Sequence, residues 1–247
     1  MKLIFNSVNK IYKRRMSTPI VNLWKAALKT FTGQNDVGYK FCQQNFEKLH
    51  SLINEIKADD VKLTPEILRF VEFQPAPMCF IHIFENDDIS ISVFILKNGV
   101  TMPIHDHPGM HGLLKVLSGV VNINSYTIQS EIDYLVNLDK KIEATSHAPE
   151  IVNKNDPACI LTPRNKNLHG ISCVEGPAAF LDILSPPYKV DIYGDGERPC
   201  TYFKIISSNE TSSSKNDEIS DKVQLIVTDS PPDFFSKTLK YSGPVLS

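Results

Sequence analysis

The feature that most constrains the fold is a series of short apolar runs with no helical segment between them. In the first two runs, at 80–84 and 89–96, apolar side chains recur at every second position. A period of two places such side chains on one face of a β-strand. Short strands without intervening helices predict an all-β core. Six further runs extend the series, at 112–117, 120–126, 159–161, 169–174, 178–184 and 201–206.

Helical signals are confined to the first third of the chain. Residues 21–28 favour a helix by propensity, and apolar residues between 37 and 56 recur at spacings of three to five. Thr64-Pro65-Glu66 is a typical helix start, with proline at the first helical position. We therefore expect a few N-terminal helices, of which the second caps the β core.

Length and composition indicate one folded domain. The chain has 247 residues, of which 42% are hydrophobic, enough to bury one sizeable core. We predict a basic N-terminal segment at 1–35, flexible or used for targeting, and a single domain at 36–247. Polar loops are expected near 131–157 and 207–222, the second of them rich in Ser, Asn, Asp and Glu and therefore a candidate for disorder.

Charge and cysteine content exclude several classes of protein. A net charge of −2 argues against a nucleic-acid partner, and no apolar span of membrane length occurs. Five cysteines without a CxxC pair favour a reducing compartment, so we expect a cytoplasmic monomer. Residues 1–35 carry seven Lys or Arg and no acidic residue, which makes mitochondrial import the alternative location.

Three histidines form the strongest chemical signal. His105 and His107 alternate on a predicted strand, so both imidazoles can bind one metal ion while Asp106 points the other way. His169 follows a strand-like run and a polar turn that can return it to the same cavity. Three neutral imidazoles leave Fe(II) its full charge and several open positions, suited to a thiolate and dioxygen. The pattern predicts an Fe(II) site that oxidises thiols.

The surroundings of this motif resemble known families. With Gly99 before the histidine pair and Gly119 after the next strand, the layout is similar to the first metal motif of cupins, although the cupin glutamate is missing. Segments 103–117, 159–169 and 174–188 look like those of the 2-aminoethanethiol (cysteamine) dioxygenases and the related plant cysteine oxidases. The resemblance is densest over 72–203, with a weaker echo over 223–245.

This resemblance implies a fold, a metal and substrates. The fold would be a cupin-type double-stranded β-helix (jelly-roll) barrel with Fe(II) bound by His105, His107 and His169. The activity would be the addition of both atoms of dioxygen to sulfur. Cysteamine would give hypotaurine, and proteins with an exposed N-terminal cysteine would give cysteine sulfinic acid. Such an enzyme would serve as an oxygen sensor in the response to hypoxia, feeding the N-degron pathway.

Four further residues are candidates for the active site. Asp182 alternates with apolar residues on a strand and is placed to hold a substrate ammonium; the alternative is a barrel-end carboxylate with a structural role. The resemblance to plant cysteine oxidases implicates Asp182 and Tyr188 in the active site. Cys200 and Tyr202 share a strand face, so sulfur and ring can meet, and the family is associated with a Cys-Tyr thioether. Two ordinary strand residues remain the alternative for this pair.

Three rival functions stay open. A non-catalytic metal-binding cupin would share the barrel, and a zinc or nickel cupin isomerase would hold metal without consuming oxygen. A small-molecule cysteine dioxygenase would need a cationic residue for the substrate carboxylate. Lys115 and Arg164 lie in the motifs, but neither is clearly placed inside the site. An amine-recognising site with an aspartate therefore fits the chain better.

Overall fold

The computed structural model describes residues 18–33, 38–128, 141–188, 199–209 and 222–247. Within these residues the helices precede the strands, and the expected all-β core with N-terminal helices is confirmed. The helices are α1 (Pro19–Phe31), α2 (Gln43–Asn54) and α3 (Pro65–Phe73), with a short 3-10 helix at Ala58–Val61. The strands are β1 (Met78–Glu85), β2 (Ser90–Leu96), β3 (Thr101–Asp106), β4 (His111–Thr127), β5 (Ile142–Ser146), β6 (Glu150–Asn153), β7 (Cys159–Leu161), β8 (Leu168–Ser185), β9 (Tyr202–Asn209), β10 (Lys222–Thr228) and β11 (Ser236–Leu239).

The helices cover the outer face of the sheet formed by β1, β2 and the second half of β8. Helix α3 begins as its sequence indicates, with Pro65 in the first turn and the Thr64 hydroxyl accepting a hydrogen bond from the Ile67 amide at 3.4 Å. Leu23 of α1 and Leu49 of α2 are fully buried in one apolar cluster with Val93, Leu181 and other residues of that sheet face. None of the described helices has the length and apolar character required to cross a membrane.

The two longest strands, β4 and β8, form the central antiparallel ladder of the barrel. Both bend in the middle, so each contributes to two layers. Gly119 lies at the bend of β4 with φ +72°, and a Cβ there would lie 2.5 Å from the carbonyl oxygen of Glu175. Beyond the bend β8 leaves β3 and pairs with β2. The ladder therefore passes from one sheet of the jelly roll to the other.

Six strands, including β4 and β8, form a closed ring whose interior lies on one face of this ladder. The pairings run from β8 to β3, β9, β10, β5 and β4, and β4 returns to β8. Every strand of the ring contributes apolar side chains to one interior cluster, which contains Ile104, Tyr126, Ile128, Ile142, Ala144, Leu168, Phe203, Val223 and Leu225. The ring leaves no free edge along these strands.

A second apolar layer, here called the lumen, lies on the opposite face of β4 and β8. It is enclosed between their two halves and β1, β2, β3, β6 and β7. The core of the lumen is formed by Leu96, Met102, Leu114, Val116, Val121, Ile123, Val152, Ile171, Cys173, Ala178 and Phe180. Because strand residues alternate between faces, His169 shares the lumen face of β8 with Ile171, and Asp182 shares it with Phe180.

The segment 131–157 is only partly the polar loop that its composition suggested. Residues 129–140 lie outside the described residues, but β5 and β6 both fall within the segment. Ile142 and Ala144 are buried in the ring and Val152 in the lumen, and polar residues alternate with them. The composition misled because both strands are short and only one or two residues of each are buried and apolar.

Of the predicted segment 1–35 the structure describes residues 18–33, which contain α1, and of the segment 207–222 it describes only the two ends. Residues 1–17 and 34–37 lie outside the described residues, as do 210–221. Strand β9 extends to Asn209 and β10 begins at Lys222, so the ends of the second polar segment are strand rather than loop. The division into a basic segment 1–35 and one domain 36–247 stays a prediction.

Candidate metal centre

The three histidines singled out in the sequence converge on one point of the lumen. His105 and His169 are cross-strand neighbours on β3 and β8, and His107 directly follows β3. Their ring centroids are 5.0 Å apart for His105 and His107, 4.8 Å for His105 and His169, and 4.7 Å for His107 and His169. One nitrogen from each ring lies within 4.8 Å of the other two. This spacing suits three ligands of a single metal ion.

Backbone pairing explains why His107 stays in the site although β3 has already ended. The His107 amide donates to the Asn167 carbonyl at 2.8 Å, which continues the pairing next to His169. Asp106, between the two histidines, turns its carboxylate to the opposite side and accepts a hydrogen bond from the Thr201 amide at 2.9 Å. Asp106 therefore fixes the segment before β9, and the candidate ligands among the described residues are imidazoles only.

Hydrogen bonds set which nitrogen of His105 and of His107 faces the centre. The Nδ1–H of His105 donates to the Pro103 carbonyl at 2.8 Å, which leaves the Nε2 lone pair free. The Tyr188 hydroxyl donates to the Asp106 carbonyl, so its oxygen accepts from His107 Nδ1–H at 3.1 Å. Partners on the far nitrogen are typical of metal-binding histidines, because they orient the ring.

The donor set fits a metal cation. His107 Nε2 lies 3.1 Å from His169 Nε2. A hydrogen bond between these two nitrogens fills the position in the absence of metal, and a cation would bind both of their lone pairs instead. Burial lowers the pKa of His105, and burial followed by the charge of neighbouring rings lowers the pKa of His107 and His169 well below the usual value. The rings are therefore neutral near pH 7, as ligands must be.

Asp182 faces the same lumen from β8. Its neighbours across the ladder are Ser92 on β2 and Leu114 on β4, and Phe180 lies on the same face of its own strand. Burial raises the pKa of the Asp182 carboxyl to about 7. A carboxyl in such surroundings gains most from an ammonium group brought next to it, because the pair compensates the cost of burial.

Tyr188, Cys200 and Tyr202 form one group beside the histidines. The Cys200 thiol is hydrogen-bonded to the hydroxyls of both Tyr188 and Tyr202, and burial raises its pKa to about 11. Tyr202 pairs with His105 across β3 and β9, with ring centroids 6.4 Å apart. The sulfur and the side chain of Tyr202 therefore meet. Tyr188 lies behind His107 and contacts the ring nitrogen that faces away from the centre.

A small cavity at the rim of the lumen has His169 among its lining residues. Leu114, Ile123 and Ser125 line its buried part, and Lys166 and Glu150 line its solvent end. The Lys166 ammonium is bonded to the Glu150 carboxylate, and the two side chains are 30% and 39% exposed. Both residues were missed in the sequence, where they lie in segments of loop-like composition. Alternation with buried Val152 is the one signal that places Glu150 on the lumen face.

The two cations considered in the sequence lie elsewhere. Lys115 is buried, but its ammonium donates to the carbonyl oxygens of Lys154 and Asp156. Burial lowers its pKa. Arg164 is exposed in the turn before His169. Lys115 therefore holds a surface loop, and Arg164 is not buried in the lumen.

The comparisons with known proteins agree with this site. A family model described as PCO_ADO matches residues 52–246, which is most of the chain. The chain belongs to this family. Its members among the curated relatives include 2-aminoethanethiol dioxygenase of Homo sapiens, 37% identical over 224 residues that span 81% of each chain. Plant cysteine oxidase 1 of Arabidopsis thaliana is 31% identical over 189 residues, 72% of this chain and 61% of that protein.

Two solved structures that share similarity with this chain are distant in sequence. KdgF from a Halomonas species is 14% identical, with a TM-score of 0.33 over 47% of this chain and 84% of that one. An RmlC-like cupin from Shewanella frigidimarina is also 14% identical, with a TM-score of 0.33 over 45% of this chain and 78% of that one. The jelly-roll architecture of the chain rests on its own strand pairings.

Proposed function

We propose that this protein is a non-haem Fe(II) thiol dioxygenase that acts on cysteamine and on N-terminal cysteine residues of proteins. The observation that carries the proposal is the cluster of three buried, neutral imidazoles, to which no carboxylate of the described residues belongs, in a chain of the PCO_ADO family. Its relatives named 2-aminoethanethiol dioxygenase and plant cysteine oxidase support this reaction class.

The metal in this proposal is Fe(II), held by His105, His107 and His169. Bound there, Fe(II) supplies open positions for a thiolate and for dioxygen and the electron transfer between them. Imidazoles fixed by hydrogen bonds on their far nitrogens keep the ring planes in place. Tyr188 is the positioning residue for His107, since its hydroxyl connects that ring to the main chain of Asp106.

The amine of the substrate is recognised by Asp182. Cysteamine and an N-terminal cysteine both place an ammonium two carbons from the sulfur, and Asp182 carries the acidic group on the lumen face of β8. A cation beside it favours the carboxylate and returns its pKa towards the ordinary range. The thiol proton leaves on binding, and both oxygen atoms finish on sulfur as a sulfinic acid. The balance needs no external reductant.

Cys200 and Tyr202 tune the site in this scheme. Their contact beside His105 supports a thioether that forms oxidatively, with dioxygen as the oxidant. The loss of one hydrogen from the thiol and one from the ring balances that bond. Such a link would fix the side chain of Tyr202 next to the metal centre, so it would change the rate and leave the reaction type unchanged.

Two variants test the assignment of roles. After anaerobic loading with Fe(II), His107→Ala should lose bound iron, because one of three ligands is gone. Asp182→Asn should keep iron and lose most turnover of both thiols, with Asp87→Asn on the exposed β1–β2 turn as the charge control. Iron content and oxygen uptake are the measurements. Full activity of Asp182→Asn would remove the amine-binding role from this residue.

The proposed biological role is oxygen sensing in the cytoplasm. If turnover of N-terminal cysteines follows oxygen over its cellular range, sulfinic acid formation reports oxygen to the arginylation branch of the N-degron pathway. An oxygen titration of the initial rate tests this role. Saturation far below cellular oxygen would rule it out and leave a metabolic oxidation of cysteamine.

A further inference from the structure

The cavity that ends at His169 has two chemically different ends. The inner end reaches His169, one of the three imidazoles, and in the proposed function the thiol binds at that centre with the ammonium at Asp182 on the same lumen face. The outer end holds Lys166 and Glu150 between solvent and the buried lining. Cysteamine is short enough to be bound entirely at the inner end. A peptide is longer, so its main chain must also pass the outer end.

Main-chain contacts, in addition to the ion pair with Glu150, hold Lys166 at this position. Lys166 has φ 54°, one of two non-glycine residues with positive φ among the described residues. This conformation costs a non-glycine residue of the order of 1 kcal/mol or more and persists only where surrounding contacts impose it. Here the Lys166 amide donates to the Thr127 hydroxyl at 2.9 Å, and the same hydroxyl contacts His147 Nε2 at 2.7 Å.

Glu150 is held from the other side of the cavity. It begins β6 and pairs with Ile123 on β4, and it shares a strand face with Val152, which is buried in the lumen. The ion pair cancels the charges but leaves hydrogen-bonding capacity on both groups. An ammonium has three donors and a carboxylate about four acceptor sites, of which the pair itself uses one each. The outer end therefore offers both a donor and an acceptor with no net charge.

We propose that Lys166 and Glu150 bind the main chain that follows the cysteine of a peptide substrate. Lys166 donates to the carbonyl of the cysteine, and Glu150 accepts from the amide of the second residue. The pair thereby distinguishes peptides from cysteamine, which lacks both groups, and from free cysteine, which has no amide of a second residue for Glu150 to accept from. This inference rests on the proposed function and names its preferred substrate class.

The test compares three thiols in four variants of the full chain loaded with Fe(II). The substrates are cysteamine, free cysteine and a pentapeptide that begins with cysteine. Lys166→Met and Glu150→Gln probe the pair. Lys62→Met is the control for a lysine with left-handed backbone, at φ 59°, and Glu143→Gln is the control for an exposed cross-strand ion pair, with Lys222. The readouts are kcat/KM and the affinity for the peptide under anaerobic conditions by calorimetry.

The inference predicts a selective loss. Both probe variants should lose about tenfold or more in kcat/KM and in affinity for the peptide, the usual effect of losing a hydrogen bond to a charged group. Cysteamine turnover should stay within about twofold, and the controls should match wild type. An equal loss for peptide and cysteamine, no loss for the peptide, or a wild-type preference for free cysteine that Lys166→Met abolishes would each overturn the inference. Wild-type protein that oxidises none of the thiols would refute the proposed function itself.

Discussion

Asp182→Asn should change the stability of the metal-free protein in a pH-dependent way. The Asp182 carboxyl is placed among apolar side chains, and burial raises its pKa from 3.8 to about 7 in the folded state. Between these two values the folded state binds the proton and the unfolded state does not. Stability of the wild type therefore falls as pH rises from about 4 to about 7 and is level above that. Asparagine does not titrate, so the variant lacks this loss.

The size of the effect follows from the difference in pKa. At pH 8 the carboxylate is ionised in both states, and a difference of about 3 pH units corresponds to about 4 kcal/mol. At pH 5 the folded carboxyl is still protonated, and the cost is about 1.6 kcal/mol. The stability of Asp182→Asn relative to wild type should thus increase by about 2 to 3 kcal/mol between pH 5 and pH 8.

Urea unfolding with a chelator present, at both pH values, measures this change. Comparing the two pH values cancels any constant effect of the amide on packing, and Asp87→Asn controls for the loss of one surface charge. A relative stability that changes by less than about 0.5 kcal/mol would show that the Asp182 carboxylate is well solvated. That result would refute the claim that the Asp182 carboxylate is buried at a cost in free energy that a substrate ammonium offsets.

Further variants probe the groups around the centre. Tyr188→Phe removes the hydroxyl behind His107 and should lower the affinity for Fe(II) about 10- to 100-fold in chelator competition, and a change under threefold would contradict a positioning role. After aerobic turnover, mass spectrometry of a digest of the wild-type protein should show the peptides of Cys200 and Tyr202 joined, with a mass two hydrogen atoms below that of the unlinked peptides. The Cys200→Ser variant should not show this species. Its absence from active wild-type protein would argue against the thioether. Lys115→Met leaves two loop carbonyls without their donor and should lower the free energy of unfolding by about 1 to 3 kcal/mol while turnover is retained.

The parts of the fold that the sequence predicted are those with local signals. Alternation identified the strands of the core, and the start of α3 was readable from Thr64 and Pro65 because capping depends on neighbouring residues. Strands β5 and β6 were missed, since they are short and their three buried apolar residues lie in two different layers. Local composition cannot report which distant strands will cover such residues.

The same distinction applies to the site. His105 and His107 were a local pattern, and His169 was inferred from the strand-like run and turn before it, with the resemblance implying the same three ligands. The Lys166 and Glu150 pair had no such signal, because two residues 16 apart in loop-like sequence meet only after β4, β6 and β8 are in register. Lys115 is the converse case. It is a cation within the motif, but its side chain binds the carbonyl of a surface loop and does not enter the site.

The most direct test of the account is the fate of dioxygen. Purified protein loaded anaerobically with Fe(II) is mixed with cysteamine or with a peptide that begins with cysteine, and dioxygen labelled at both atoms is admitted. The account predicts that the product of each thiol carries two labelled oxygen atoms on sulfur. Bound iron with no oxygen uptake, or product oxygen drawn from water, would contradict a thiol dioxygenase and favour a metal-binding cupin without this activity.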